Sequence, residues 1–548
     1  MGKSETFDYI VVGAGSSGCV VAARLSEDPS CRVLVLEAGG PNDHPLMAMP
    51  LAFMHVAMNR RLNWNYQSEP EPNANNRRIL LPRGKVLGGS GSINGMIYSR
   101  GHPRDYDEWR QLGNTGWSYA DVLPYFKRAE SDWRGETPYH GGSGPLPVVK
   151  IHIEDAKVLP SLRASAEKLG YRWLADFHGA EAEGFSVPDF TITKRGRRAS
   201  TAVAYLKPAM SRPNLRVELN APSLRVLIEK GRAVGVQYLQ DGEVKEARAA
   251  REVIVSGGTY NSAQLLLLSG IGPADELRAA GVAPVHDLPG VGRNLQEHVL
   301  AALAFDADGP VAFDSELRFD KMAFAAMQWK LFGSGMAATL PVCCMGFYKT
   351  RPELERPDIK GNFYPTIMDS RIWFPLIRKA RGHVLSNFNL LLRPQSRGAV
   401  TLKSTDPRDA PRIALNLFAE PADMATLKRT IPMMRELYNT KPLKDLWKRE
   451  FMPGDNVRTD KEIEDYIRAA CAVAQHPVGT CKMGIDDMAV VDPALKVRGL
   501  EGLRVADASV MPVVTGGNTN APCIMIGEKA SDLVLGRSLP RAEVPVAA

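Results

Sequence analysis

Apolar residues run unbroken from Tyr9 to Val12 and stop at Gly13-Ala14-Gly15-Ser16-Ser17-Gly18. They recur at helical spacing through Cys19, Val20, Ala23 and Leu25, and a second apolar run, Arg32 to Leu36, ends in Glu37. This pattern predicts strand, glycine turn, helix, strand and acid. Each glycine has a mechanical task. Gly13 makes the turn, Gly15 lets backbone N–H groups approach a pyrophosphate at a helix N-terminus, and Gly18 lets the helix pack on the strand. Glu37 falls where a ribose hydroxyl pair needs an acceptor. The turn alone leaves NAD and FAD equally open, since both present adenosine and pyrophosphate in the same way.

Further along, Leu81 to Gly101 carries Gly84, Gly88, Gly89, Gly91 and Gly95 among fixed apolar positions. That much glycine costs entropy unless backbone must approach backbone or a flat ligand. Strands are predicted at Leu215 to Leu219, Leu224 to Glu229, Ala233 to Gln240 and Glu252 to Val255, the last ending in Gly257-Gly258 before a helix from Ser262 to Leu268. Beyond about Phe305, helices (Phe324 to Phe332, Ala422 to Asn439, Lys461 to Ala472) mix with strand-like runs (Val384 to Leu392, Gly398 to Leu402), the pattern of a separate domain on the substrate side. The apolar stretch Met322 to Phe347 contains Lys330 and glycines and reads as core rather than as a membrane span.

At 548 residues the chain exceeds one core, so two or more domains are expected. The net charge of +7 is spread without a long basic run, which gives no nucleic-acid footprint and leaves room for a weak peripheral contact with anionic membrane. The first six residues run straight into the first strand, and no segment of about 18 uncharged apolar residues follows. A cytosolic protein, or one peripheral on the cytosolic face of a membrane, is expected. Seven scattered cysteines without CxxC spacing predict reduced thiols, with neither a disulfide framework nor a metal site.

Two stretches near the C-terminus carry chemistry. In Gln475-His476-Pro477-Val478-Gly479-Thr480-Cys481-Lys482-Met483-Gly484, Pro477 biases His476 out of the helical region and aims its imidazole from stiff extended backbone. Such a histidine suits a general base at neutral pH, although a hydrogen-bonded structural histidine fits the same residues. In Gly516-Gly517-Asn518-Thr519-Asn520-Ala521-Pro522, Pro522 fits the first position of a helix whose positive end lies beside Asn520. That end suits a ligand developing negative charge, and an ordinary capped helix reads the same way.

Together these stretches resemble the glucose-methanol-choline (GMC) family of FAD-dependent oxidoreductases over nearly the full length. The agreeing motifs are GAGSSG with Glu37-Ala38-Gly39, Arg83 to Gly101, Gly257 to Gly272, HPVGTCKMG, and GLRVADASVMP with GNTNAP. The resemblance implies an α/β fold: a Rossmann-type FAD-binding domain from residues 1–155, 196–305 and 487–548, and a discontinuous α+β substrate domain from 156–195 and 306–486. It implies that Gly13, Gly15, Ser16, Gly18, Glu37 and Ala38 hold the ADP half. Gly89, Asn94, Gly95 and Met96 would line the isoalloxazine, with Arg83 and Trp64 nearby, and Ser223 would meet adenine. Gly257, Asp507 and Ala508 would close the pyrophosphate pocket, with Asn518 and Thr519 also on the cofactor. His476 and Asn520 match the catalytic pair. Ile93 stands where some members attach the flavin through histidine, so non-covalent FAD is expected; Ala263 and Glu297 are further departures, in the second signature and in the Asn294-Leu295-Gln296-Glu297-His298 element. The implied reaction is oxidation of an alcohol, a neutral primary alcohol ahead of choline. A quinone-type acceptor would take the electrons, with an O2-using oxidase and a lyase or decarboxylase as alternatives. The residues are silent on oligomeric state.

Overall fold

The computed structural model describes residues 5–151, 158–368, 370–374, 377 and 382–543. The first apolar run becomes the strand Glu5–Val12 at the centre of a parallel sheet. It pairs with Val33–Leu36 on one side and with Glu243–Val255 on the other. Leu215–Glu218 extends the first side, and Leu503–Val505 adds in parallel to Val253, Ile254 and Val255. Tyr9–Val12, Val33–Leu36 and Val253–Val255 are buried throughout, which is why they are unbroken apolar runs rather than alternating ones. Helix Ser16–Leu25 packs on this sheet and against the C-terminal helix Asn520–Val534.

The strand expected at Glu252 is longer, Glu243–Val255. Its first half pairs antiparallel with Arg232–Gln240, which pairs in turn with Ser223–Glu229. That half, EVKEARAAR, is largely exposed, so it lacks the apolar run that marks the rest. In the C-terminal loop, the helix begins at Asn520, so Pro522 occupies its third position instead of the first. The missing N–H is harmless there too, since the first turn has no intrahelical acceptors.

A second seven-stranded sheet is antiparallel, in the order Trp447–Met452, Val299–Ala307, Val384–Leu391, Ile359–Tyr364, Cys344–Tyr348, Gly184–Ser186, with Ala472–Val473 on Val299–Ala307. Helix Pro421–Asn439 covers it, and Tyr438 stacks on Phe305 at 4.0 Å. The architecture is thus the expected α/β dinucleotide-type domain joined to an α+β unit. The boundary expected at 155/156 lies outside the described residues, and the one at 305/306 falls inside the strand Val299–Ala307.

The apolar stretch from Met322 is only partly core. Helix Phe319–Phe332 buries Ala325 and Trp329 but leaves Phe319, Phe324, Met327, Leu331 and Phe332 exposed by 51% to 75%. No helix among the described residues is long and apolar enough to cross a membrane.

Glu528 fastens three helices to one another. Its fully buried carboxylate accepts from Arg24 of Ser16–Leu25, from Arg128 of Tyr119–Ala129 and from the Tyr205 hydroxyl at 2.8 Å. Removing Glu528 leaves Arg24 with only Glu27 and Arg128 with only Asp532 as counter-charge. Glu528→Ala should lose about 3 kcal/mol of unfolding free energy in urea melts; a loss below about 1 kcal/mol would mean the network is worth no more than a surface pair.

Candidate active site

A cavity of about 1460 Å³ lies between the two sheets. It exceeds the roughly 300–1,000 Å³ of an ordinary small-ligand pocket and has room for a dinucleotide and a second molecule. Gly13, Gly15, Ser16, Glu37, Ala38, Trp64, Arg83, Gly89, Asn94, Gly95, Met96, Ser223, Gly257, Asp507, Ala508, Asn518, Thr519, Asn520 and His476 all line it. Gly18 does not. A Cβ there would meet the Gly13 carbonyl oxygen at 1.9 Å, so its task is close packing of helix on strand.

At the dinucleotide end, Glu37 accepts from the Ala14 and Gly39 backbone N–H groups, each at 2.8 Å, one on each carboxylate oxygen. Each oxygen keeps a lone pair for a ribose hydroxyl. Burial pushes this carboxyl up to about 7, against the pull of those two N–H groups and of Lys85. Ser223 Oγ is buried with no hydrogen-bond partner among the described residues. Asp507 accepts from Gly258 N–H, Ser262 and Ser509, which locks the turn after Val255. Trp64 stacks on Tyr66 at 5.7 Å, and Lys85 sits over its ring.

In the middle, Gly89 (φ +53°) brings its backbone against the first turn: a Cβ there would be 2.9 Å from Gly15 Cα. Asn94 accepts from Met96 N–H at 3.0 Å and from the buried Arg198, holding Met96 at φ +56°. Arg83 turns out to be an anchor for the histidine loop. Its Nη2 donates at 2.9 Å to both the carbonyl and the side-chain oxygen of Gln475, which sits at φ +66° immediately before His476.

His476 is 8% exposed and has a partner on each ring nitrogen. Nδ1 faces His298 Nδ1 at 3.0 Å, and Nε2 faces Asn518 Nδ2 at 3.0 Å. Its backbone N–H donates to Glu297 Oε1 at 2.7 Å. Burial, and then the neighbouring His298, Lys360 and Arg83, hold the imidazole well below its ordinary pKa of 6.5, so it is a neutral base at pH 7. Burial likewise pushes Glu297 up to about 8 and His298 down to about 3.

Asn520 does not join this group. Its Oδ1 accepts from Ser16 Oγ at 2.7 Å, where the N-termini of helices Ser16–Leu25 and Asn520–Val534 meet. The partner of His476 is Asn518, two residues earlier, because the loop delivers Asn518 to the chamber before the helix begins and turns Asn520 onto the neighbouring helix. Sequence reasoning also missed Lys360, whose amine donates to Asn518 Oδ1, and the contact of His298 with His476. The available signal for Lys360 was the strand IKGNFY, where Lys360, Asn362 and Tyr364 put a polar face in mid-sheet. The described walls of the chamber beside His476 include Leu300, Asn362, Tyr364, Phe388 and Leu390, with the Tyr364 and Phe388 rings edge to face at 5.3 Å.

The residues fit FAD. Side-chain-free backbone at Gly13, Gly15 and Gly89 leaves a cradle beside two helix N-termini, and Glu37 and the unpartnered Ser223 hydroxyl offer polar atoms at the adenosine end. Ile93, buried against Met47, Val56 and Val86, offers no atom for attachment. All seven cysteines are free thiols. Glu130, Asp132 and His140 have the spacing of metal ligands, but Arg100 and Arg134 already pair with the carboxylates.

Two family models described as GMC oxidoreductase match this chain, one at residues 7–300 and one at 394–527. The oxygen-dependent choline dehydrogenase of Sinorhizobium fredii (strain NBRC 101917 / NGR234) is 43% identical over 97% of this chain and 96% of its own. That of Burkholderia cenocepacia (strain HI2424) is 42% identical over 99% and 96%. Among solved structures, formate oxidase from Aspergillus oryzae RIB40 superposes with a TM-score of 0.89 at 28% identity, covering 97% of this chain and 98% of that one. Pyridoxine 4-oxidase from Mesorbium loti gives 0.86 at 29%, covering 96% and 98%.

The contact between the two glycine turns gives a direct test of the cradle. Gly89→Val combines a backbone angle unfavourable to side chains with a Cβ against Gly15. The flavin-to-protein absorbance ratio of the purified variant should fall at least about tenfold; full flavin content would show that the turns need not touch.

Proposed function

Because the chain belongs to the GMC oxidoreductase family and is an FAD-dependent enzyme acting on CH–OH donors, we propose that His476 and Asn518 receive the reacting hydroxyl of a small primary alcohol. The observation that carries this reading is the convergence of His476 Nε2 and Asn518 Nδ2, 3.0 Å apart, on the chamber. A hydroxyl that displaces this contact donates its proton to Nε2 and accepts from the amide. As the C–H bond weakens, the oxygen gains negative charge and the amide N–H stabilises it, while His476 takes the proton. His298 receives the Nδ1 proton of His476 as a hydrogen bond and keeps the ring oriented. FAD, bound non-covalently, supplies the two-electron acceptor for the hydride.

A neutral primary alcohol is our first substrate class, since the Lys360 amine lies one hydrogen bond from Asn518 and opposes a nearby cation. Choline is the second reading. The relatives' names favour it, and the Tyr364 and Phe388 rings offer faces for a quaternary ammonium. For the electrons, a quinone-type acceptor is our first reading; the names of the relatives and of the solved oxidases favour O2 as the second. The exposed apolar face of Phe319–Phe332, with Lys330 beside it, suits peripheral contact with an anionic bilayer. Sedimentation with anionic vesicles, and its loss in Phe324→Ser/Leu331→Ser, is the expected result; an unchanged supernatant removes the membrane from the proposal.

The oxidation itself is tested by anaerobic bleaching of the flavin spectrum with neutral primary alcohols and choline. At least one should bleach it, and choline alone would select the second substrate reading. His476→Ala should keep its flavin and lose about a hundredfold or more in kcat, and full activity in that variant would refute the assigned base. Peroxide yield under air separates O2 from a quinone or dye as acceptor.

A further inference from the structure

Lys360 is fully buried in the strand Ile359–Tyr364, between Cys344–Tyr348 and Val384–Leu391, in the part of the chain that neither matched family segment covers. Among the described residues no carboxylate pairs with it, and its one hydrogen bond runs to Asn518 Oδ1. A buried amine without a counter-charge is costly to protonate, and burial pulls this one down to about 7, so a lysine kept there needs a reason other than stability.

The donor and acceptor chemistry of its neighbours supplies one. In its protonated form, which only donates, the Lys360 amine requires the amide oxygen on that side. The amide nitrogen then faces His476 Nε2, and since that nitrogen also only donates, Nε2 must carry the lone pair. The proton of His476 is therefore on Nδ1, pointing at His298 Nδ1 at 3.0 Å, which must accept. His298 then carries its own proton on Nε2, a nitrogen with no hydrogen-bond partner among the described residues, although the Leu392 carbonyl pulls the pKa of the ring upward. One donor-only amine thus sets the direction of every hydrogen bond from Lys360 through Asn518 and His476 to His298.

We propose that Lys360 is a positioning residue: by fixing which end of the Asn518 amide faces His476, it keeps Nε2 of His476 unprotonated, ready to take the hydroxyl proton of a substrate that displaces the amide contact. The inference rests on the role of His476 and Asn518 proposed above. It adds a consequence for the amide as well, since a cation on Oδ1 polarises the N–H that meets the developing alkoxide. Without Lys360 the amide can turn over, present its oxygen to Nε2 and draw the imidazole proton there, where it blocks the base.

The test combines a spectroscopic signature with kinetics on the flavin-loaded enzyme. In 15N spectra of histidine-labelled protein, the ring assigned to residue 476 by its loss in His476→Ala should show a protonated Nδ1 and a bare Nε2. Lys360→Met keeps the side chain's length and removes its donors. It should mix the two tautomers and lower kcat about tenfold with KM nearly unchanged, while stability holds or rises because a buried charge is gone. Lys360→Gln, which can still donate, should restore part of the rate. In an Asn518→Ala background, Lys360→Met should have no further effect on kcat, because its influence passes through the amide. Asn518→Asp, which offers only acceptors, should place the proton on Nε2 whatever occupies position 360.

An unchanged tautomer and kcat in Lys360→Met would overturn the proposal, as would a loss of stability with the tautomer intact, or a kcat effect that persists without Asn518. If no alcohol bleaches the wild-type flavin, the reading of the reaction fails on that result alone. The tautomer spectra still decide the role of Lys360.

Discussion

Two glycine turns that press backbone on backbone set the geometry on which the cofactor cradle depends. A single methyl at Gly89 would touch the Cα of Gly15, and one at Gly13 would lie 2.6 Å from the Ser256 carbonyl oxygen. Since neither turn can carry a side chain at these points, the first strand, the loop after Leu81 and the strand ending at Val255 meet at one place with main chain only. That place is also where two helices begin, Ser16–Leu25 and Asn520–Val534, joined by the bond from Ser16 to Asn520. Their unpaired N–H groups and dipoles add a positive field at the spot left free of side chains, which is the combination an anionic dinucleotide requires.

Around the histidine, burial does most of the electrostatic work. It drives Glu297 up to about 8 and both imidazoles down, so three titratable groups in contact are uncharged near pH 7. Beside them stand Arg83 on the Gln475 loop and, on the Asn518 side, Lys360, whose amine burial pulls down to about 7, with the Arg393–Asp105 pair next to His298. A neutral imidazole in these surroundings fits the alcohol oxidation proposed above.

What could be read from the residues follows from how local each feature is. The strand-turn-helix at Tyr9 to Leu25 was legible because burial on both faces writes itself as an unbroken apolar run, and the turn as glycines. The charged half of Glu243–Val255 was not, since an exposed hairpin leaves no such run. In the site, every expected cofactor residue but Gly18 lines the cavity. The exchange of Asn518 for Asn520 escaped, because two asparagines two residues apart differ only in where a helix starts. Lys360 and His298 escaped for another reason: their contacts with Asn518 and His476 span 158 and 178 residues, and nothing local announces them.

The order of strands in the parallel sheet bears on how the chain comes off the ribosome. The strand Leu503–Val505 that covers the edge of Val253–Val255, and the helix Asn520–Val534 that Ser16–Leu25 packs against, are made only after residue 500. Throughout synthesis the nascent dinucleotide domain therefore carries an open strand edge and an uncovered apolar helix face, features that invite intermolecular pairing. All of the antiparallel sheet except its Gly184–Ser186 edge strand must emerge and fold in the interval. Efficient production of this enzyme should accordingly be governed less by its final stability than by chaperone capacity and by the pace of translation across residues 256–502.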